Sequence, residues 1–447
     1  MRAFVLTSLA IVMSATASFG AESVASPRLQ ALRDSVARGD ARSLSLFWAR
    51  IEADGAPLVE PAMEPKERLV TFLYRSSADT HVLLMADFAD FVPHVTFKRL
   101  SKTDVWYLTV PLPSDAQFLY QLSVDDPAWP FVDVDPPGYP SKTQSDALNP
   151  NRYDFTKPEI FSVLRLPDAP SRALSTPDPA VPHGVVGRFE DKLKSTILGN
   201  ERDIWVYKPP GYTESGEPYA LLIFGASYLN QIKLPVILDN LIAKHSIPPV
   251  VTIFIGFPPS QDEEAGGAEP FGRFVADELL PWVRSRVHVS KDPRRIVIGG
   301  ASAGGHQAAF VGLQHSEAVG NVIAQSGAFW RGIGQTARYW GNPAFSDGRE
   351  GREGFARYAA SRPGPAAPVR FFLTVGRLER GRAFDTDMVS MLHASRHVRD
   401  VLQAKGYDVT ILESNGGHDP YNWEATIPMA LVALLGPPPE GKRPQMP

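Results

Sequence analysis

A serine flanked by small residues is the first candidate for chemistry in this chain. The segment G-A-S-A-G at 300–304 places Ser302 between two glycines, and a third glycine follows. It comes directly after a strand-like apolar run at 295–298 and directly before an apolar, alanine-containing stretch at 308–311 that favours a helix. A serine at such a strand–turn–helix junction is exposed at the edge of an α/β-hydrolase sheet. The pattern therefore predicts Ser302 as a nucleophile rather than as part of a surface turn.

The base that such a serine needs is expected late in the chain. A serine hydroxyl at its ordinary pKa is a weak nucleophile, and in α/β-hydrolases the chain order is serine, acid, histidine. Of the ten histidines, only His418 lies in a C-terminal loop after a final strand-like run, at 409–413. His393 and His397 have one-turn helical spacing, but no glutamate or third ligand accompanies them, so a helix surface pair is favoured over zinc. His418 is therefore the predicted base, and no metal site is predicted.

The acid of the predicted triad has three candidates. A carboxylate that orients the imidazole should follow the strand-like run at 371–375, and Glu379 stands there in the segment G-R-L-E. Asp385 and Asp387 follow a short distance later and would serve if the loop folds differently. We take Glu379 as the predicted acid and keep the two aspartates as alternatives.

Two backbone amides are needed to stabilise a tetrahedral intermediate. The first is the amide of Ala303, at the start of the helix that follows the nucleophile. The second should come from the loop after the strand-like run at 221–224, at positions 225–226, and we assign it to Ala226. Tyr228, two residues further on, is a candidate for contact with the substrate.

Composition excludes several other classes of protein. The 447 residues contain 45 basic and 49 acidic side chains, a formal charge of −4, which is unsuited to neutralising nucleic-acid phosphates. Hydrophobic residues make up 44% and charged residues 21%, which is ordinary globular usage. The absence of cysteine excludes disulfides, thiolate metal sites and a cysteine nucleophile. We expect no nucleic-acid partner and no cofactor.

The chain divides into two folded units of different pattern. Helix-like spacing at 27–51, with a break at 39–40, precedes short apolar alternations up to residue 124, which indicate an antiparallel β-sandwich of Ig-like (E-set) type. From residue 187, continuous apolar runs alternate with helix-length stretches, which is typical of a mostly parallel α/β sheet. The predicted boundaries are an N-terminal helix and β-sandwich domain at 27–160, a linker at 161–186, an α/β-hydrolase domain at 187–435 and a disordered proline-rich tail at 436–447.

The first residues resemble a secretory signal. Arg2 precedes an apolar run at 3–12, and small residues at 14–17 and Ala21 offer two cleavage sites. The run is shorter than the roughly 20 apolar residues that span a bilayer, so a membrane anchor is the less favoured interpretation. We predict a signal peptide at 1–21, a mature protein without a membrane span, and a periplasmic location.

Several motifs in both units resemble those of the enterochelin (ferric enterobactin) esterases. In the hydrolase unit they surround Ser302 and recur at 278–281, 325–330, 376–379 and 416–419, with Trp423. The N-terminal motifs are the more specific, since the hydrolase motifs occur across the wider esterase-D-like group. They comprise Phe47-Trp48, the segment G-A-P-L-V-E-P at 55–61, the segment T-D-V-W at 103–106 and the segment D-A-L-N-P at 146–150.

The resemblance implies both a fold and an activity. The fold would be a β-sandwich cap on an α/β-hydrolase. The activity would be cleavage of the trilactone of a catecholate siderophore to release iron, which arrives only as part of the substrate. By the same resemblance Ser302 would be the nucleophile, His418 the base and Glu379 the acid.

A ferric tris-catecholate is anionic and aromatic, so arginines and aromatic rings are expected around it. Arg377 and Arg380 flank the predicted acid, and Trp330 and Arg331 follow the segment S-G-A-F at 326–329. These residues, with Tyr228, are the predicted substrate contacts. A solvated charged loop beside a packed aromatic cluster is an equally weighted interpretation of the same residues.

Two departures from the family pattern bear on the substrate. Phe224-Gly225 stands where the family usually has Asp-Gly, and the loop at 262–267 is acidic and glycine-rich where the family carries arginine and glutamate. Because such loops form substrate walls, two alternatives stay open: a feruloyl or acetyl esterase acting on polysaccharide, and a catalytically inactive protein that binds the siderophore.

Overall fold

The computed structural model describes residues 25–86, 96–126, 143–156, 159–257, 268–330, 354–362, 368–380 and 390–437. The signal segment, the loop at 262–267, the candidates Arg331, Asp385 and Asp387, and the tail from residue 438 lie outside the described residues. The helices in the described ranges are α1 (Pro27–Ala37), α2 (Ser43–Asp54), α3 (Ser227–Asn230), α4 (Leu234–Ala243), α5 (Ala268–Arg273), α6 (Leu280–Arg284), α7 (Ala303–Gln314), α8 (Gly354–Ser361), α9 (Met391–Ala404) and α10 (Pro420–Leu435).

The strands in the same ranges fall into an N-terminal and a C-terminal group. The N-terminal group is β1 (Leu58–Pro61), β2 (Glu67–Arg75), β3 (Val82–Met85), β4 (Lys98–Arg99), β5 (Val105–Pro113), β6 (Gln117–Val124), β7 (Thr143–Gln144), β8 (Arg152–Thr156) and β9 (Glu159–Arg165). The C-terminal group is β10 (Val185–Arg188), β11 (Leu193–Ser195), β12 (Asn200–Arg202), β13 (Ile204–Lys208), β14 (Ala220–Gly225), β15 (Val250–Ile255), β16 (Ile296–Ala301), β17 (Asn321–Gln325), β18 (Arg370–Gly376) and β19 (Asp408–Ser414).

The N-terminal domain is a sandwich of two antiparallel sheets. One sheet has the order β1-β2-β5-β4 and the other β3-β6-β9-β8, with β7 beside β6. Their inner faces share one buried cluster, in which Val70 and Phe72 of β2 meet Phe118 and Tyr120 of β6. Helices α1 and α2 cover the outer face of the first sheet, where Trp48 is buried against the strands. The predicted β-sandwich, and the predicted break between two helices near residue 39, are confirmed.

The predicted boundary between the domains is wrong. The sequence predicts a linker at 161–186, but the strand β9 occupies the first part of this range. β9 pairs along β6 as an internal strand of the second sheet and extends to Arg165. The connection therefore begins after residue 165, and the strand β10 already opens the next domain at Val185. Short strands inside a proline-rich segment are difficult to recognise because their alternation covers only a few residues.

The C-terminal domain is built on a mostly parallel sheet, as predicted. Its described strands have the order β10-β13-β15-β14-β16-β17-β18-β19, and the six from β15 to β19 in that order are parallel. β13 and β10 add an antiparallel edge. Helices cover both faces, since one hydrophobic cluster joins the strands to α7 and α9 and a second joins them to α4 and α10. This double covering explains why the strands appear as continuous apolar runs in the sequence.

Candidate active site

Ser302 lies on a strained turn between β16 and α7. Its backbone has φ 54° and ψ −120°, in a region that residues with a side chain rarely occupy. Its N–H donates to the carbonyl of Gln325 at 2.9 Å, and its carbonyl accepts from the N–H of Ala328 at 3.0 Å. A Cβ at Gly300 would lie 2.5 Å from the backbone of Gly304, so the turn can close only with glycine there. The first glycine of the G-x-S-x-G segment is thus explained by the tightness of this turn.

Glu379 and His418 are in direct contact. Oε2 of Glu379 lies 2.8 Å from Nδ1 of His418. A carboxylate oxygen accepts, so Nδ1 carries the proton and Nε2 keeps its lone pair for a proton from elsewhere. The glutamate side chain is 2% exposed and the histidine side chain 27% exposed, which leaves the ring partly open. The structure therefore pairs the predicted base with the predicted acid.

Ser326 is a site residue that the sequence analysis did not single out. Its hydroxyl donates to Oε1 of Glu379 at 2.6 Å and accepts from Nε1 of Trp423 at 3.0 Å. The same carboxylate oxygen also accepts from the N–H of Gly376 at 2.7 Å. Ser326 is fully buried and has φ 46°, a second left-handed serine at this edge of the sheet. It holds the carboxylate from the side opposite His418.

Four adjacent parallel strands bring these residues to one edge. Ser302 follows β16, Ser326 follows β17, Glu379 follows β18 and His418 follows β19. The carboxyl ends of parallel strands meet at the same edge, which is where open α/β sheets bind their ligands. The rings of Trp423 and His418 also pack in a T-shaped arrangement, with centroids 5.1 Å apart. The sequence order serine, acid, histidine thus places all three residues at one edge of the sheet.

A cavity of about 250 Å³ opens beside Ser302. Its walls include the backbone at 299–304, Ser227, and the aromatic rings of Phe257 and Phe271. Among the described residues that line it, Arg202 is the one with a charged side chain. The Arg202 guanidinium is buried; its Nε donates to Oδ1 of Asn200 at 2.9 Å and its Nη1 to the carbonyl of Gly256 at 3.2 Å.

Comparison with known proteins decides the family. The model described as "Putative esterase" matches residues 195–434, more than half of the chain, and "Enterochelin esterase, N-terminal" matches residues 69–174. The chain belongs to the enterochelin esterase family. The resemblance inferred from the sequence is confirmed, and the chain is an ester hydrolase.

Three similar proteins illustrate the extent of the likeness. The iron(III) enterobactin esterase of Dickeya dadantii is 28% identical over 418 residues, 85% of this chain and 90% of that one. The iron(III) salmochelin esterase of Escherichia coli is 26% identical over 429 residues, 91% of this chain and 98% of that one. The crystal structure of the ferric enterobactin esterase of Salmonella typhimurium has a TM-score of 0.68 at 22% identity, covering 87% of this chain and 98% of that one.

One predicted amide donor of this enterochelin esterase family member is already engaged. The N–H of Ala226 donates to the carbonyl of Ile255 at 2.8 Å, as part of the contact between β14 and β15. The prediction of Ala226 as an oxyanion donor is therefore wrong. Ser227 begins α3 and lines the cavity, and the first amides of a helix have no acceptor within the helix. Ala303 begins α7 in the same way, as predicted.

The predicted substrate contacts have other partners in the structure. Trp330 is 3% exposed and belongs to a buried cluster with Val375 and Leu392, because the turn after β17 directs it inward. Nε of Arg377 donates to Oε2 of Glu413 at 3.2 Å, and Nε of Arg380 donates to the carbonyl of Arg377 at 2.8 Å. None of these three lines the described cavity beside Ser302, and their role as substrate contacts stays a prediction.

Tyr228 lines the cavity, but its hydroxyl is committed elsewhere. It donates to Oε1 of Gln325 at 2.8 Å, and Nε2 of Gln325 donates to the carbonyl of Trp423 at 3.0 Å. Burial raises the pKa of Tyr228 well above its usual value, so the hydroxyl stays protonated. The tyrosine therefore stabilises the turn after Gln325 through this hydrogen bond.

Neither a metal-binding group nor a membrane span is found in the part of the chain that the structure describes. That part contains no group of three or more histidine, aspartate or glutamate side chains arranged to hold a metal ion. None of its helices combines the length and the hydrophobicity needed to cross a bilayer.

Proposed function

We propose that this protein is a serine esterase that hydrolyses the trilactone ester bonds of a ferric catecholate siderophore and so releases iron. The observation that carries the proposal is the 2.8 Å contact between Nδ1 of His418 and Glu379, at the sheet edge where Ser302 lies on its strained turn. The alternative acids, Asp385 and Asp387, are not needed, because His418 already has a carboxylate partner.

Acylation is the first half of the proposed reaction. Nε2 of His418 takes the proton of the Ser302 hydroxyl as its oxygen attacks the ester carbonyl. The serine oxygen forms a bond to the carbonyl carbon, and the tetrahedral intermediate expels the alcohol oxygen of the next serine unit of the trilactone. The imidazolium gives its proton to that leaving oxygen. Glu379 stabilises the imidazolium and keeps Nδ1 protonated throughout.

Hydrolysis of the acyl-enzyme is the second half. Water attacks the acyl carbon, its proton passes to Nε2 of His418, and Ser302 leaves with that proton. The proposed donors to the oxyanion are the amides of Ala303 and Ser227, each at the first residue of a helix. The proposed steps use only protein groups and water, and iron enters as part of the substrate.

The charge and shape of the cavity support an anionic aromatic substrate. A ferric tris-catecholate presents negatively charged catechol oxygens and flat rings, which an arginine and aromatic side chains can bind together. Arg202 supplies the positive charge in the described lining, and Phe257 and Phe271 supply the aromatic surfaces. The similar proteins are named for iron(III) enterobactin and iron(III) salmochelin, two substrates of this class.

Export to the periplasm is part of the proposal. Arg2, the apolar run at 3–12 and the small residues before Glu22 support a cleavable signal. Mass spectrometry of the protein from a fractionated Gram-negative host should give a mature form beginning within residues 18–22 in the periplasm. An uncleaved form in the cytoplasm would contradict export without affecting the chemistry.

The substrate is tested with purified wild-type protein and ferric enterobactin, analysed by mass spectrometry. Linear dihydroxybenzoylserine products are expected from the wild type and none from Ser302→Ala. Intact trilactone together with rapid turnover of methyl ferulate would refute the siderophore substrate in favour of a feruloyl esterase. Stoichiometric retention of intact ferric enterobactin would favour the inactive binding protein.

The role of Arg202 is tested by substitution. Arg202→Met should raise KM for ferric enterobactin by about tenfold, whereas KM for small neutral esters such as methyl acetate should change little. Arg202→Lys should retain part of the affinity.

A further inference from the structure

The loop that carries His418 lies against an edge of the N-terminal domain. In the sheet order β3-β6-β9, β9 pairs with residues 117–120 of β6, whereas β3 pairs with residues 121–124 along the opposite edge. The first half of that opposite edge is occupied by the 415–419 segment. The N–H of Gln117 donates to the carbonyl of Asn415 at 3.0 Å, and the N–H of Leu119 donates to Oδ2 of Asp419 at 3.1 Å. Because amides two residues apart in a strand point the same way, the loop takes the place of an edge strand.

A side-chain hydrogen bond strengthens this contact. Nδ2 of Asn415 donates to Oδ1 of Asp115, two residues before the start of β6, at 2.6 Å. Gln117 also forms a parallel bridge with Gly416. A hydrogen bond to a charged acceptor is stronger than one between neutral groups, so the Asp115 carboxylate should restrain the loop three residues before His418.

The loop of the acid is tied to the same domain. Leu378 is 6% exposed and belongs to the hydrophobic cluster at the centre of the N-terminal sandwich. Its N–H donates to the carbonyl of Gly416 at 3.2 Å, which joins the two loops. The residue after Leu378 is Glu379, so the N-terminal core holds the backbone next to the carboxylate.

The start of α10, which follows His418, is also held by residues outside the hydrolase domain. The ring of Tyr421, three residues after His418, packs edge-on against Tyr153 of β8 with centroids 5.8 Å apart. Arg172, in the connection between the domains, stacks over Tyr421 at 3.6 Å and forms a 2.5 Å ion pair with buried Glu424. The segment with His418 is therefore restrained both before and after the imidazole by residues outside the hydrolase domain.

We propose that the N-terminal domain is a positioning element of the active site, in which the β6 edge and the sandwich core hold the His418 and Glu379 loops in the geometry that Ser302 requires. This inference rests on the proposed roles of Ser302, His418 and Glu379. A domain that served only to bind the siderophore would influence large substrates alone. A domain that positions the base influences every ester, because a misplacement of about 1 Å lowers a rate by about 100-fold.

The experiment compares full-length variants on a small neutral ester, 4-nitrophenyl butyrate, and on ferric enterobactin. Asn415→Ala and Asp115→Ala each remove the side-chain bond between the loop and the β6 edge. Asp115→Asn keeps an acceptor oxygen at the same position. Gln121→Ala is the matched control, since Gln121 lies on β6 next to β3 and its Nε2 donates to Ile160 within the N-terminal domain.

The expected result is a fall in kcat of about 10- to 100-fold on both esters for Asn415→Ala and Asp115→Ala, with KM for the small ester unchanged. Asp115→Asn should retain kcat within about threefold, and Gln121→Ala should match the wild type. Thermal unfolding of each variant shows whether the fold is intact. Wild-type kcat on the small ester in folded Asn415→Ala and Asp115→Ala would overturn the inference. A wild type inactive on both esters, or a fully active Ser302→Ala, would overturn the proposed function and the inference with it.

Discussion

The carboxylate of Glu379 binds Nδ1 of His418 with one oxygen and Ser326 with the other, at 2.8 and 2.6 Å. The oxygen that faces Ser326 also accepts from the N–H of Gly376. Two donors on Oε1 fix the plane of the carboxylate, and Oε2 is thereby directed at the imidazole. The orientation of the base is thus set by three consecutive strands, β17, β18 and β19, rather than by one pair of side chains.

Glu379→Gln is expected to preserve the fold and remove most of the activity. The amide oxygen must occupy the position that accepts from Ser326 and Gly376, so the amide NH₂ would face Nδ1. This arrangement stabilises the tautomer of His418 with its proton on Nε2, which cannot take a proton from Ser302. Steady-state kinetics on 4-nitrophenyl butyrate should show kcat lowered about 10³- to 10⁴-fold, with KM little changed.

The competing acids provide the control for this prediction. Asp385→Asn and Asp387→Asn are expected to keep near wild-type kcat. If either variant lost as much activity as Glu379→Gln, the contact between Glu379 and His418 would not be the one used in the reaction.

Two substitutions of Ser326 distinguish the contribution of its hydrogen bonds from the cost of its left-handed backbone conformation. Ser326→Ala loses the bonds to Glu379 and Trp423 and should lower the free energy of unfolding by about 1–3 kcal/mol. Its kcat should fall by about tenfold because the carboxylate is less firmly held. Ser326→Gly loses the same bonds but relieves the φ of 46°. Its unfolding temperature should therefore be no lower than that of Ser326→Ala, and a clearly lower value in thermal denaturation would contradict the role assigned to the left-handed backbone.

Gly300 and Gly304 form a matched pair within the turn of Ser302. A Cβ at Gly300 would lie 2.5 Å from the backbone of Gly304, whereas a Cβ at Gly304 would meet nothing within 4 Å. Gly300→Ala should lower the free energy of unfolding by about 1–3 kcal/mol. Gly304→Ala, at the start of α7, should raise it by about 0.5–1 kcal/mol. Equal effects in chemical denaturation would show that the turn is looser than its geometry indicates.

An ion pair at the end of β19 gives a prediction for acid stability. Hydrogen bonds from Arg396 and, more weakly, Arg377 lower the pKa of Glu413 from its usual 4.5 to about 2. A lowered pKa in the folded state contributes stability above the unfolded pKa, and this contribution is lost as the pH falls from about 4.5 toward 2. The unfolding temperature of the wild type should exceed that of Glu413→Gln at pH 7, and the difference should shrink by pH 2.5. A difference independent of pH would exclude this ion pair as its cause.

Much of the site follows from sequence because each catalytic candidate stands at the end of a strand with a distinct pattern. The apolar runs before Ser302 and Glu379 are buried on both faces of the sheet, and such strands are visible without any knowledge of their neighbours. The strand before His418 is the partly exposed edge strand β19, which is recognised by its alternation and by the loop that follows. Gly300 is required because a side chain there would collide with the backbone of Gly304. The order of the three residues in the chain then indicates which is the nucleophile, which the acid and which the base. The three strands are parallel, so their carboxyl ends lie at the same edge of the sheet.

The features that sequence analysis missed depend on residues distant in the chain. Arg202 lines the cavity only because β12 ends beside the carboxyl end of β15, and its sequence surroundings show no motif. The amide of Ala226 is unsuitable because of its bond to Ile255, which follows from the register of β14 and β15. The contact between Asp115 and Asn415 joins positions 300 residues apart. The strand β9 was missed for a different reason, since it is short and lies in a proline-rich segment where alternation covers only a few residues.

The measurement closest to the central claim is reaction of the full-length protein with a fluorophosphonate, followed by peptide mass spectrometry. The account predicts a single covalent adduct on the hydroxyl of Ser302 in the wild type, formed at a rate at least about 100-fold lower in His418→Ala because the proton acceptor is missing. Labelling of another residue, or an adduct on Ser302 that forms equally fast without His418, would contradict it.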